Sequence, residues 1–285
     1  MSIDYFETAA ALFEDFSAAP LQSEEELWEY LIRKTAPAIE CHAATVFEAD
    51  EIKKTLTFRK SIGPVGRDLV GVSFGYQGIA GWCAENKRPI LVNDTENDLR
   101  FTKKVDYGTG FKTRNIIAVP AISGGKLLGV VEFINSVRGN FSEAEVKLAA
   151  MLTAFVARDV YMRRLEATIK QLSLKGENTI NNLSGGFIGV DMDGKVIFFN
   201  PKAKEIFSAG NEYLNQNIIN FLHLSPDIVG AIGDVLKEGR TVKRREFKCA
   251  VDGNNKVVGY SSITIKGVDG KVIGAGVIFQ DITNL

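Results

Sequence analysis

The sequence predicts an α+β protein: two mixed domains, each on a central antiparallel sheet, joined by a long coiled-coil-like helix. Two clusters of short Val-, Ile- and Phe-rich runs are each broken by turn residues, the pattern of antiparallel strands. Between the clusters, Ser142 to about Lys175 contains neither Pro nor Gly and repeats its apolar residues every seven positions. A length of 285 residues accommodates two domains at roughly 150 residues each.

In chain order, residues 3 to 17 read as an amphipathic helix within an N-terminal segment 1–19. Residues 24 to 38 read as a second, opened by Ser23 ahead of Glu24, Glu25 and Glu26, which suit the N-cap and the positive end of a helix dipole. Strands are predicted at Ala43 to Phe47, Thr55 to Lys60, Ile90 to Val92, Ile116 to Ala121 and Leu127 to Asn135. Ser123-Gly124-Gly125-Lys126 makes the last two a hairpin. In the helix expected over 142–175, Leu148, Phe155, Met162 and Ile169 form one row of a seam. Met151, Leu165 and Leu172 form the other, interrupted by Arg158. Val146 to Phe155 is expected against the preceding domain; beyond Val160 only a partner helix is left to cover the seam, so a homodimer through helix 142–175 is expected.

Gly176 to Gly186 is expected to break that helix before a second module over 177–285. Strands Phe187 to Asp191 and Lys195 to Phe199 flank the turn Asp193-Gly194, and Asn200-Pro201 opens a helix to Phe207. A helix Asp227 to Lys237 follows Ser225-Pro226, and strands at about 241 to 250, 256 to 265 and 272 to 280 close the chain through Asp-Gly turns.

Composition narrows the function. Thirty-four basic and thirty-five acidic residues predict no general attraction to nucleic acid or to an anionic membrane. The start lacks signal-peptide regions, no apolar run has the length of a membrane span, and a cytoplasmic protein is expected. Cys41, Cys83 and Cys249 are odd in number and widely spaced, with no disulfide framework and no CxxC metal pair. Only His42 and His223 are present, on different domains, and no nucleophile elbow, HExxH helix or Walker A lysine occurs, so catalysis is not expected.

A binding site is better signalled. Asp106-Tyr107-Gly108-Thr109-Gly110-Phe111-Lys112-Thr113-Arg114-Asn115 sets short hydrogen-bonding groups and two glycines at the mouth of the first sheet. Gly75-Tyr76-Gln77-Gly78-Ile79-Ala80-Gly81-Trp82 follows a strand-like segment and opens a helix whose first amides can hold a phosphate, although a Gly-rich helix start is also what a tight turn needs.

Together with Pro89-Ile90-Leu91-Val92-Asn93-Asp94 and Gly129-Val130-Val131-Glu132-Phe133-Ile134-Asn135, these stretches make residues 20–160 resemble a GAF domain. The likeness is to the regulatory GAF domains of cyclic-nucleotide phosphodiesterases and cyclases. It implies a buried purine cyclic nucleotide, cAMP or cGMP, with its phosphate at the helix start, at Ile79 and Ala80. By the same resemblance Thr45, Asp106, Thr109, Thr113 and Glu132 take ligand-contacting positions. The family's Asn-Lys, Phe, Asp-Glu signature keeps Asn135 and Phe141. Ser136 replaces the Lys and Glu145-Val146 the Asp-Glu, so the family's bracing Lys-to-Asp pair is not expected.

Residues 177–285 resemble a PAS domain through Gly189-Val190-Asp191, Gly194-Lys195-Val196, Phe199-Asn200-Pro201-Lys202-Ala203 and Phe279-Gln280-Asp281-Ile282-Thr283. In that family the last element couples the sheet to an effector. His223 among apolar residues is read as packed or at the surface rather than as a haem ligand, and no tightly bound cofactor is expected. The combined expectation is a sensor that binds a small ligand and relays it through the dimeric helix to the second domain and an unknown effector protein. The alternatives are a ligand-free docking scaffold, or the sensory part of a histidine kinase, cyclase or transcription regulator.

Overall fold

The structure is a computed structural model that describes residues 5–64, 69–102, 111–221, 223 and 225–284. The chain divides into two compact units, Met1–Thr168 and Ile169–Leu285.

In the first unit, α1 (Tyr5–Ala18) and α2 (Glu24–Ala38) precede the sheet. A capping box starts α2: the Ser23 hydroxyl accepts from the Glu26 amide at 3.1 Å, and the Glu26 carboxylate accepts from the Ser23 amide at 3.1 Å. The strands are β1 (Cys41–Asp50), β2 (Thr55–Ile62), β3 (Ser73–Gly75), β4 (Ile90–Val92), β5 (Ile116–Ser123) and β6 (Lys126–Ser136). They form one antiparallel sheet in the order β3-β2-β1-β6-β5-β4. Helix α3 (Gly78–Asn86) joins β3 to β4, and α4 (Glu143–Asn181) follows β6.

Strand alternation gives this sheet two different faces. Ala44 and Val46 of β1, Ile117 and Val119 of β5, and Val131 and Phe133 of β6 pack with Leu31 and Ile32 of α2 and Leu152 and Val156 of α4. Their neighbours Phe47, Ile116, Ala118 and Val130 face the other way and pack with Ile79, Ala80 and Cys83 of α3. The helices α1, α2 and α4 therefore cover one face, and α3 covers part of the other. Arg164 of α4 ties the helical layer to the sheet, pairing with Glu24 and, at 2.8 Å, with Glu48.

The second unit carries β7 (Gly186–Asp191), β8 (Val196–Phe199), β9 (Arg245–Val251), β10 (Asn254–Lys266) and β11 (Val272–Asp281), in the order β8-β7-β11-β10-β9. Helices α5 (Pro201–Phe207) and α6 (Pro226–Glu238) each begin with Pro after a side-chain N-cap, Asn200 and Ser225. Phe199, Phe207, Phe221 and Phe279 fill the core between these helices and the sheet.

Several elements differ from the sequence expectation. The long helix does not stop before Gly176; α4 runs through it to Asn181, because one glycine costs only about 1 kcal/mol in a helix whose other hydrogen bonds persist. Strand β1 begins earlier than expected, so Cys41 and His42 lie within it. The strand-like segment read ahead of the Gly75 stretch is the three-residue β3, whose last residue is Gly75 itself. Leu148, read as the first seam residue, is buried in the first unit's own core. The exposed apolar row starts at Met151 and continues through Met162, Leu165, Ile169 and Leu172.

Candidate ligand-binding site

The α3 side of the first sheet holds a cavity of about 100 Å³, several times the roughly 10–15 Å³ that one water needs. Its floor comes from alternate residues of neighbouring strands: Ala43, Thr45 and Phe47 of β1, Ile116 of β5, and Glu132 and Ile134 of β6. Thr45 and Glu132 are cross-strand partners, so a hydroxyl and a carboxyl stand side by side on the floor. The helix side is Gln77, Gly78, Ile79 and Ala80. Gly78 starts α3 at φ 69°, a left-handed conformation that lets the chain turn from β3 into the helix. Phe47, Phe58 and Phe74 form an aromatic wall with centroids 4.6, 5.5 and 5.6 Å apart.

Thr113 lines the opposite side, at a position set by buried polar groups. Thr95 donates its hydroxyl to the Thr113 carbonyl at 2.7 Å. Asn135, buried and left-handed at φ 59°, accepts from the Arg114 amide at 2.7 Å and donates to the Lys112 carbonyl at 2.8 Å. Asn115 accepts from the Ser136 amide at 2.7 Å and donates to the Gly139 carbonyl at 2.6 Å. These side chains satisfy backbone groups that strand pairing leaves open at the end of the sheet.

Burial pushes the Glu132 carboxyl up to about 7, against the opposing pull of the Ala80 amide, which hydrogen-bonds to it. Cys83, one turn further into α3, is fully buried, and its thiol is raised by burial and then by the charge of Glu132, so it is inert.

Of the residues anticipated from sequence, Thr45, Ile79, Ala80, Thr113 and Glu132 come together around this cavity. Asp106 and Thr109 lie outside the described residues. The Phe residues of the wall, Gln77 and Thr102 also line it and were not anticipated; the strand pattern marks Phe47 and Phe58 as buried without saying which face of the sheet they take. A substitute for the family's brace was also not anticipated. No lysine stands at position 136, but Arg138 pairs with Glu145 instead. In the second unit, His223 is exposed, with its Nε2 3.1 Å from the Tyr213 hydroxyl, and is not directed into the core. Among the described residues no cluster of His, Cys, Asp and Glu could hold a metal, and no helix is long and apolar enough to cross a membrane.

A GAF domain family model matches residues 16–160 and a PAS domain family model residues 184–284. The chain belongs to the GAF domain family and carries a PAS domain after it. A mouse cone cGMP-specific 3',5'-cyclic phosphodiesterase subunit alpha' is 35% identical over 81 residues, 28% of this chain and 9% of the phosphodiesterase. The dual 3',5'-cyclic-AMP and -GMP phosphodiesterase 11 of Drosophila melanogaster is 35% identical over 91 residues, 31% of this chain and 6% of that protein. The chain thus spans less than a tenth of these relatives. The GAF domain of a phosphoenolpyruvate-protein phosphotransferase from Coxiella burnetii superposes with a TM-score of 0.52 at 17% identity, over 58% of this chain and 97% of that one. The corresponding Acinetobacter domain gives 0.50 at 18% identity, over 59% and 99%. These two share the fold. The matching families are GAF and PAS sensory domains; neither is a catalytic domain.

Proposed function

We propose that this protein is a cytoplasmic, non-enzymatic sensor whose GAF pocket binds a small ligand, a purine cyclic nucleotide, and relays its presence through a dimeric α4 to the PAS domain. The observation that carries this reading is the cavity beneath α3, where Thr45, Gln77, Thr102, Thr113 and Glu132 bring polar groups to a largely apolar lining beside the amides of Ile79 and Ala80. A flat purine against the aromatic wall and a phosphate near a helix start match that distribution. The likeness to cyclic-nucleotide phosphodiesterases supports the ligand class, and the exposed row from Met151 to Leu172 supports a helical partner of the same kind. Ligand shifts the α4 pair only through unequal affinity for two arrangements of it. Three unbonded thiols suit a reducing compartment.

Isothermal calorimetry with cAMP and cGMP tests the reading. Saturable binding of one or both is expected, weakened about ten-fold in Thr113→Ala through loss of a buried hydrogen bond. No heat with either nucleotide removes the nucleotide and favours the ligand-free docking scaffold.

A further inference from the structure

Helix α3 starts without a side-chain cap from its own N-cap residue: Gln77 makes no capping hydrogen bond. The group that meets the helix start comes from across the cavity. Glu132 of β6, buried on the floor, accepts from the Ala80 amide. Its remaining surroundings carry no compensating charge among the described residues. From β1 it faces the hydroxyl of Thr45, from β5 the methyl of Ala118, from α3 Ala80 and the neutral thiol of Cys83, and across the cavity the hydroxyls of Thr102 and Thr113. Segment 103–110, which holds Lys103, Lys104 and Asp106 in sequence, lies outside the described residues.

We infer that Glu132 is the resident anion of the α3 N-terminus, and that an anionic ligand enters this pocket only together with a proton taken up by that carboxyl. The inference rests on the nucleotide reading above and adds what the pocket demands in exchange. Two anions at one helix start, in a cavity of low polarity, repel strongly, whereas a neutral carboxylic acid does not. Protonation also changes the chemistry of the group. The carboxylate can only accept, but the acid has an O–H that can donate to a phosphate oxygen, and the Ala80 amide is then released to the ligand. The proton comes from solvent and binds a carboxylate oxygen; no other bond is made or broken. The placement of the carboxyl's titration near neutrality, by burial, makes the exchange responsive to ordinary pH.

The test uses the full chain with cAMP and cGMP as probes, neither of which changes charge between pH 6 and pH 8. Affinity for wild type is expected to be about ten-fold weaker at pH 8 than at pH 6. Calorimetry at pH 8 in buffers of different ionisation enthalpy is expected to show uptake of close to one proton per nucleotide bound. Glu132→Gln, a neutral stand-in for the acid, is expected to bind equally at both pH values and without proton uptake. Should that variant not fold, the wild-type proton count decides alone. Wild-type binding that is independent of pH, or that releases a proton, overturns the inference and leaves the nucleotide reading standing. Absence of nucleotide binding to both proteins at both pH values overturns the two together.

Discussion

The guanidinium of Arg138 pairs with the buried carboxylate of Glu145, closing the turn after β6 onto the first turn of α4. Glu145 also accepts from the Ser142 amide at 2.6 Å and the Ser142 hydroxyl at 2.8 Å, so one carboxylate caps the helix and holds the turn. Arg138 reaches further, to Glu40 at 3.1 Å and to the Tyr5 hydroxyl of α1 at 3.0 Å. The brace that a lysine at position 136 would have supplied is thereby rebuilt from two positions along the chain, and Ser136 instead donates to the Asn140 carbonyl within the turn.

Arg138→Met is therefore expected to destabilise the first unit. Removing one partner of a fully buried pair costs about 3–5 kcal/mol; here Arg138 is 41% exposed, and solvent reduces the loss to about 1–2 kcal/mol. The double variant Arg138→Met with Glu145→Gln should lose less than the sum of the two single variants, because the stranded charge is gone. Urea unfolding followed by the fluorescence of Trp28 and Trp82, both in the first unit, measures this. Additive losses would show that the two side chains are not coupled.

The strands were legible in the sequence as Val-, Ile- and Phe-rich runs ended by turn residues, and the turn chemistry of Gly124-Gly125 and Asp193-Gly194 set the hairpins; β5 and β6 are covered on both faces, so their apolar runs do not alternate and left the face of each residue open. Glu132 was reachable only through family resemblance, since a glutamate on a strand ordinarily signals solvent; what buries it is α3, packed across from a different part of the chain. Arg138 gave no signal, because an arginine in a turn is the normal solvated case, and its partner depends on where the next helix starts. Gly176 misled for the opposite reason: glycine disfavours helix locally, while the hydrogen bonds on either side of it decide.

Glu132 also sets a dependence of stability on pH that needs no ligand. Its folded pKa of about 7 lies above the ordinary carboxylate value, so between roughly pH 4.5 and 7 the folded state holds more protons than the unfolded state. The associated stability is fully present below that window and is lost as pH rises through about 7. The shift corresponds to on the order of 3 kcal/mol. Glu132→Gln is expected to flatten this part of the profile, read from urea midpoints of the tryptophan signal at pH 5 and pH 8. An equal slope in both proteins assigns it to other groups.

In the second unit, Asn200 is the point where the end of α4 is fixed. Its Oδ1 accepts from the amides of Phe187 at 2.8 Å and Ala203 at 2.9 Å, and its Nδ2 donates to the carbonyls of Ile180 at 3.1 Å and Gly185 at 3.0 Å. One buried side chain thus caps α5, holds the start of β7 and engages the last turn of α4. Asn200→Ala strands several buried backbone groups and is expected to cost about 2–3 kcal/mol. Faster amide hydrogen exchange should appear over residues 178–188 first. Exchange unchanged there would remove the link between the α4 end and the domain that follows.

The exposed row on α4 gives the proposed dimer its own test. Ile169 and Leu172 are 65% and 63% exposed, so replacing them disturbs no core of the single chain. In a parallel pair they would meet their copies across the seam, each burial contributing about 1.5 kcal/mol or more. A charge at Ile169 removes two such burials per dimer and places like charges together. Ile169→Glu is expected to weaken self-association at least about 100-fold, or roughly 3 kcal/mol, with unchanged circular dichroism per residue in the folded domains. Sedimentation equilibrium reads the change directly. A wild-type protein that is monomeric at tens of micromolar removes the helix as the relay, and dimerisation unaffected by Ile169→Glu moves the interface elsewhere.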